Sequence, residues 1–122
     1  MDRGNYVAGK FASDNDKVAE AVGLVRDQWA KIAQTGITQE ELDGAKTYLT
    51  GAYPLRFDGN GPIASILVGM QMQGFPIDYP QKRNDLIEAL TLEEVNRVAA
   101  ELYDPEKLHV VVVGQPKGLE AN

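Results

Sequence analysis

The sequence predicts an α+β protein in which a strand is followed by several helices and then by a second strand. Residues 4–12 alternate as a strand does, with Val7 and Phe11 on one face. From residue 18 to residue 32, apolar side chains recur three or four positions apart, which is the spacing of an amphipathic helix. Residues 108–113 form a continuous, valine-rich apolar run, which is typical of a strand buried on both faces.

Capping residues and glycines mark the first two helices. Residues 13–16 offer several N-cap candidates for the first helix, and Gly36 ends it. Thr38, with Glu41 three residues later, forms a capping box for the second helix. Pro54 is expected to end or kink this helix, because proline has no amide hydrogen and its ring crowds the preceding turn.

Three further helices are predicted before the second strand. A turn at residues 58–61 leads into a helix from Pro62 to about Gly74. Residues 81–90 are predicted to be helical, and a second capping box at residues 91–94 opens the last helix. The side chains expected to point inward from the second and last helices are Leu42, Ala45, Leu49, Leu92, Val95, Val98 and Leu102.

Two lone strands make a poor sheet, so the sequence predicts an incomplete domain.

The 122 residues fit one domain, with 43% hydrophobic and 25% charged residues. Twelve basic residues against eighteen acidic ones give a net charge of −6, which argues against a nucleic-acid partner. There is no cysteine, and the apolar stretch at residues 63–70 is too short to cross a bilayer.

No set of residues in the sequence predicts a catalytic, cofactor-binding or metal site. His109 is the only histidine, so one copy cannot build a site from several imidazoles, and a packed or hydrogen-bonded role is expected for it. The adjacent acids at 40–41 and 93–94 fall in first helical turns, where they favour the helix dipole. The remaining candidates are also interpreted as structural, as turn, cap or packing residues: Gly59, Asn60, Gly61, Ser13, Ser65, Met70, Met72, Tyr48 and Tyr53.

An ordered series of short motifs carries a resemblance to a known family. The motifs are NDKVAEA at 15–21, GITQEEL at 36–42, AKTYLTG at 45–51, YPLRF at 53–57, GFPIDY at 74–79 and VVVVG at 110–114. In this order they resemble the C-terminal, non-zinc-binding domain of bacterial insulinase/pitrilysin-like zinc metallopeptidases, which are relatives of the mitochondrial processing peptidase. The resemblance runs from about residue 4 to residue 116, with 117–122 as a polar tail, so residues 1–122 are predicted to be a single partial domain.

The resemblance implies a two-layer domain with helices on one face of a mostly antiparallel sheet. In this family the catalytic zinc is bound by an H-x-x-E-H motif and a later glutamate of an N-terminal domain. This sequence has no such motif, so zinc is expected only in the intact parent or in a partner subunit. The family's substrate-contacting arginine and tyrosine lie upstream of the segment that corresponds to residues 4–12, and Arg3 and Tyr6 do not match that pair.

The sequence therefore predicts a scaffold, or chamber-forming fragment, of a zinc-dependent metalloendopeptidase that is inactive alone. Its expected partners are a zinc-bearing N-terminal domain or subunit, and peptide substrates in the parent. The resemblance implies a periplasmic parent, since bacterial relatives are often exported there. The alternative is a catalytically dead structural or assembly subunit of the same family. An unrelated α+β binding module also remains open. Self-association through the open strand edges is expected in addition.

Overall fold

The protein is described by a computed structural model over residues 6–120. The α-helices of this part are α1 Val18–Thr35, α2 Gln39–Ala52, α3 Asn60–Met72, α4 Tyr79–Glu88 and α5 Leu92–Leu102. Short 3₁₀ turns at Pro54–Arg56 and Pro105–Lys107 follow α2 and α5. None of the helices in the described part is long and apolar enough to span a membrane.

The predicted α+β fold, with helices on one face of a mostly antiparallel sheet, is wrong, because residues 6–120 contain helices and no strand. The start of the first predicted strand, at residues 4 and 5, lies outside the described residues. A strand is stable only beside a neighbour whose backbone groups satisfy its own. Within the described part, residues 7–12 and 109–113 make no backbone hydrogen bonds with each other. Their β-forming sequence therefore remains unpaired.

The starts of α1 and α2 test the predicted helix caps, with opposite results. At α2, the Glu41 backbone amide donates to Thr38 Oγ1 at 3.2 Å, and the Thr38 amide donates to Glu41 Oε2 at 2.8 Å. The predicted capping box is thus confirmed. At α1, the cap predicted within residues 13–16 is wrong. The N-cap position is Lys17, whose side chain makes no capping bond.

The helices divide between two compact units. The first, here called the terminal unit, comprises the described residues up to Gly36 together with those from Glu93 to residue 120. The second, here called the central unit, is Ile37–Leu92 and contains α2, α3 and α4.

Each unit has a small core. The buried apolar side chains among the described residues are Val18, Val22, Leu42, Tyr53 and Ala99. Leu49, Val98 and Leu102 were predicted to point inward but are exposed. A two-layer fold would have covered such helix faces with a sheet, and the described part of the chain forms none.

Candidate functional site

A groove beside α1 is a concave surface of the terminal unit. It has a volume of about 690 Å³ and is here called the strand groove. It is lined by residues 7–13 and by residues 108–113, here called the valine segment, and these two segments are here called its walls. Its floor consists of the α1 side chains Val18, Val22, Val25 and Trp29. The periodic stripe that predicted an amphipathic α1 thus also forms the floor of this groove.

The valine segment is extended and lacks a partner strand. Leu108 has β-region dihedral angles, with φ −76° and ψ 114°. Exposure then alternates along the segment, since Val110 and Val112 are 39% and 38% exposed whereas Val111 and Val113 are 89% and 97% exposed. Alternation with a period of two is the pattern of an extended chain with two distinct faces. Val111 and Val113 therefore form an apolar, solvent-exposed outer face, which the exposed His109 shares by the same alternation.

The other wall, residues 7–13, also exposes apolar side chains. Val7 and Phe11, the residues that predicted the first strand, both remain substantially exposed along residues 7–13. No hydrogen bond involves residues 7–12 within the described part of the chain. Residues 7–12 and 109–113 thus present free backbone donors and acceptors beside an apolar floor.

Polar contacts hold the chain beyond the valine segment against the start of α1. The Gln115 amide donates to Asn15 Oδ1 at 3.3 Å, and the Lys117 amide donates to the Asn15 carbonyl oxygen at 3.0 Å. Lys117 Nζ also lies 2.7 Å from Asp16 Oδ1. Residues 13–16, predicted to cap α1, therefore position the end of one groove wall instead. No local signal in the sequence indicates these contacts, because the partners are about a hundred residues apart.

Trp29 closes one part of the groove floor. Its ring lies 4.5 Å from that of Tyr103, centroid to centroid, at an angle of 51°. The indole Nε1 is buried and has no acceptor among the described residues. An indole N–H that is buried without an acceptor loses its hydrogen bond to water and gains none.

The central unit contains a second concavity, here called the Tyr53 cleft, of about 490 Å³. Tyr53 is only 6% exposed, and its hydroxyl has no hydrogen-bond partner among the described residues. The Arg83 guanidinium lies 4.1 Å from the centre of the Tyr53 ring, which is a cation–π distance. Burial raises the pKa of the Tyr53 hydroxyl above its ordinary value of 10.0, and the Arg83 charge opposes that rise.

Beside this cleft, α2 and α4 cap each other. Arg83 Nη1 donates to the Leu49 carbonyl at 3.2 Å, and Asn84 Nδ2 donates to the Thr50 carbonyl at 3.1 Å. In return, Lys46 Nζ donates to the carbonyls of Glu88 and Leu90 at 2.9 and 2.7 Å. The last carbonyls of a helix have no partner within it, and cationic side chains suit that end of the helix dipole. These polar residues therefore stabilise the packing of α2 against α4.

Replacing Tyr53 with phenylalanine is expected to raise the free energy of unfolding by about 1 kcal/mol, because it removes a buried hydroxyl that has no partner. The neutral phenol is favoured in the folded state, so stability is full below pH 10.0 and falls as the pH rises above it. In urea unfolding above pH 10.0, the stability of Tyr53→Phe should fall less with pH than that of the parent chain. Tyr48→Phe, at an exposed position, is the control and should change neither the free energy of unfolding nor its dependence on pH. A less stable Tyr53→Phe protein would contradict this prediction.

Of the residues considered in the sequence, Ser13 and His109 both line the strand groove. His109 is exposed along the strand groove, which differs from the packed or hydrogen-bonded position expected for it. Gly59 has a positive φ of 85° directly before α3, but Asn60 and Gly61, the other half of the predicted turn, already lie within α3. Ser13 lines the groove wall and is not a helix cap, and Met72 is exposed. Arg3 lies outside the described residues. Among residues 6–120, no group of three or more His, Cys, Asp or Glu side chains could hold a metal ion.

Comparison with known proteins gives one distant similarity. The chain is 26% identical over 92 residues to a Helicobacter pylori (strain ATCC 700392 / 26695) protein named non-peptidase homologue YmxG. The match covers 75% of this chain but only 21% of that protein, so the chain spans a small part of the length of the relative. No protein-family profile matches the chain, and no solved structure matches it.

This similarity supports the insulinase/pitrilysin-like resemblance loosely, at the level of the family alone. It does not support the finer assignment to the C-terminal domain of a zinc peptidase. Because the relative is a non-peptidase by name, the expected hydrolase and peptidase character is contradicted. The comparison favours the alternative reading of the sequence, a catalytically dead subunit, over a part of an active peptidase.

Proposed function

We propose that this chain is a catalytically inactive structural module that assembles with another polypeptide. The observation that carries the proposal is the strand groove. Two β-forming segments line the groove together with an apolar helix face, and residues 7–12 and 109–113 of these segments have no backbone partner within the described residues. Unpaired strand edges bind extended polypeptide by adding it as a further strand, with backbone hydrogen bonds supplying affinity.

The similarity to the non-peptidase homologue supports the inactive half of this proposal. A structural role also suits the polar contacts of the terminal unit. The bonds from Gln115 and Lys117 to Asn15 position a groove wall.

A peptidase assay tests the absence of catalysis. The purified chain, supplied with zinc, is mixed with fluorogenic peptides of varied sequence in the presence and absence of a chelator. We expect no chelator-sensitive cleavage above the buffer rate. His109→Ala is the matched control, because His109 is the only histidine of the chain. Zinc-dependent cleavage that disappears in His109→Ala would overturn the proposal, whereas cleavage that persists unchanged in this variant identifies a contaminating enzyme.

Hydrogen exchange tests the assembly half of the proposal. In dilute solution the backbone amides of residues 7–12 and 109–113 should exchange rapidly, because they have no acceptor in the described part of the chain. Their exchange should slow when a polypeptide adds to the groove. Amides of the α2 core, such as that of Leu42, serve as the internal reference. Strong protection of both segments at every dilution would contradict unpaired walls.

A further inference from the structure

We propose that a second copy of this chain fills the strand groove, with its valine segment as the added strand. The inference deepens the proposed function and rests on its assembly half, because it identifies the partner from the surface of the chain itself. It does not depend on whether the chain has peptidase activity.

The groove has the chemistry of a site for an extended chain. Its walls at residues 7–12 and 109–113 offer unpaired backbone N–H and C=O groups in the described part of the chain. A single inserted strand has two hydrogen-bonding edges, so it can pair with a wall on each side. The floor at Val22 and Val25 is apolar and favours an inserted strand with apolar side chains.

The same chain carries a segment with the properties of that strand. The valine segment is β-branched, extended and unpaired. Val111 and Val113 are 89% and 97% exposed, so its outer face is apolar at these two positions as well. An apolar strand with two such faces is stable only when it is covered on both. The chain thus presents both a groove and an exposed strand of matching chemistry, as a two-fold symmetric pair requires.

The charge distribution of the chain is compatible with this contact and predicts how salt affects the association of two copies. The net charge of −6 repels two copies from each other. The valine segment contains no Asp, Glu, Lys or Arg, so the pairing strand itself does not contribute to that repulsion. Added salt screens the repulsion between the remaining charges. Association should therefore strengthen with ionic strength, unlike an interface held by salt bridges.

Light scattering across a wide range of concentrations tests the proposal. The chain should pass from the mass of one copy to that of two as concentration rises, and at lower concentration when salt is added. Val111→Lys should weaken association at least tenfold, because it places a charge in the pairing strand. Since Val111 is 89% exposed, this change should leave the fold of one copy intact, which circular dichroism verifies. Ile77→Lys, at a 93% exposed apolar position of the central unit, is the matched control and should associate as the parent chain does.

Trp29 supplies an independent measurement, because it is the only tryptophan and lies in the groove floor. Its emission should shift to shorter wavelength as the copies associate, and Val111→Lys should abolish the shift. A single-copy mass at every concentration, or equal association of Val111→Lys and Ile77→Lys, would overturn the inference. Either result would leave the groove to a strand from a different polypeptide. Such a result is separate from zinc-dependent cleavage, which would overturn the proposed lack of catalysis.

Discussion

Replacing Gly36 with alanine is expected to lower the free energy of unfolding by about 2–4 kcal/mol. Gly36 follows α1 with φ 69° and ψ −163°, a backbone conformation that is almost confined to glycine. A Cβ added there would also lie 2.4 Å from the Cγ and Oδ1 atoms of Asn96. The terminal unit must therefore either move the backbone or displace Asn96. Urea unfolding followed by circular dichroism measures the loss.

A double-mutant cycle separates the two causes. Asn96→Ala in the Gly36→Ala background removes the collision but leaves the backbone strain, so it should recover only part of the loss. The single Asn96→Ala variant completes the cycle. Gly44→Ala is the control, because Gly44 lies within α2 and nothing approaches its Cβ position within 4 Å. That change should stabilise the protein by up to about 1 kcal/mol through helix propensity. A loss below about 1 kcal/mol for Gly36→Ala would show that the helix end tolerates a side chain.

The helices could be predicted because their signals are local. The Thr38 and Glu41 capping box needs only residues three apart, and it forms as the sequence indicates. The sheet could not be predicted correctly, because a strand depends on a neighbour that may be distant in sequence. The valine segment has every local property of a strand, yet no described residue pairs with it.

The candidate site was predictable in part for the same reason. The α1 stripe that forms the groove floor follows from periodicity, and both walls follow from their β-forming sequence. The contacts of Asn15 with Gln115 and Lys117, and of Arg83 with Leu49, join residues far apart in the chain. Nothing in the sequence near Asn15 or Arg83 distinguishes these side chains from ordinary surface residues. Tertiary packing alone assigns them their roles.

Replacing Trp29 with alanine is expected to lower the free energy of unfolding by about 2–3 kcal/mol, somewhat less than for a fully buried aromatic residue. The change removes the ring contact with Tyr103 at 4.5 Å and part of the floor beneath the strand groove. Thermal and urea unfolding should be measured in a Val111→Lys background at low concentration, so that association does not contribute to the apparent stability.

Two further variants assign the loss to the ring and not to the indole nitrogen. Trp29→Phe keeps an aromatic ring beside Tyr103 and removes the buried Nε1 group, which has no acceptor among the described residues. Its effect should therefore stay within about 1 kcal/mol. Leu24→Ala, at an exposed position of the same helix, should change stability by no more than about 0.5 kcal/mol. If Trp29→Phe lowered the free energy of unfolding as much as Trp29→Ala does, the ring contact would not explain the loss. The result would then indicate that the indole N–H has an acceptor in solution, so that the groove floor contains a polar contact.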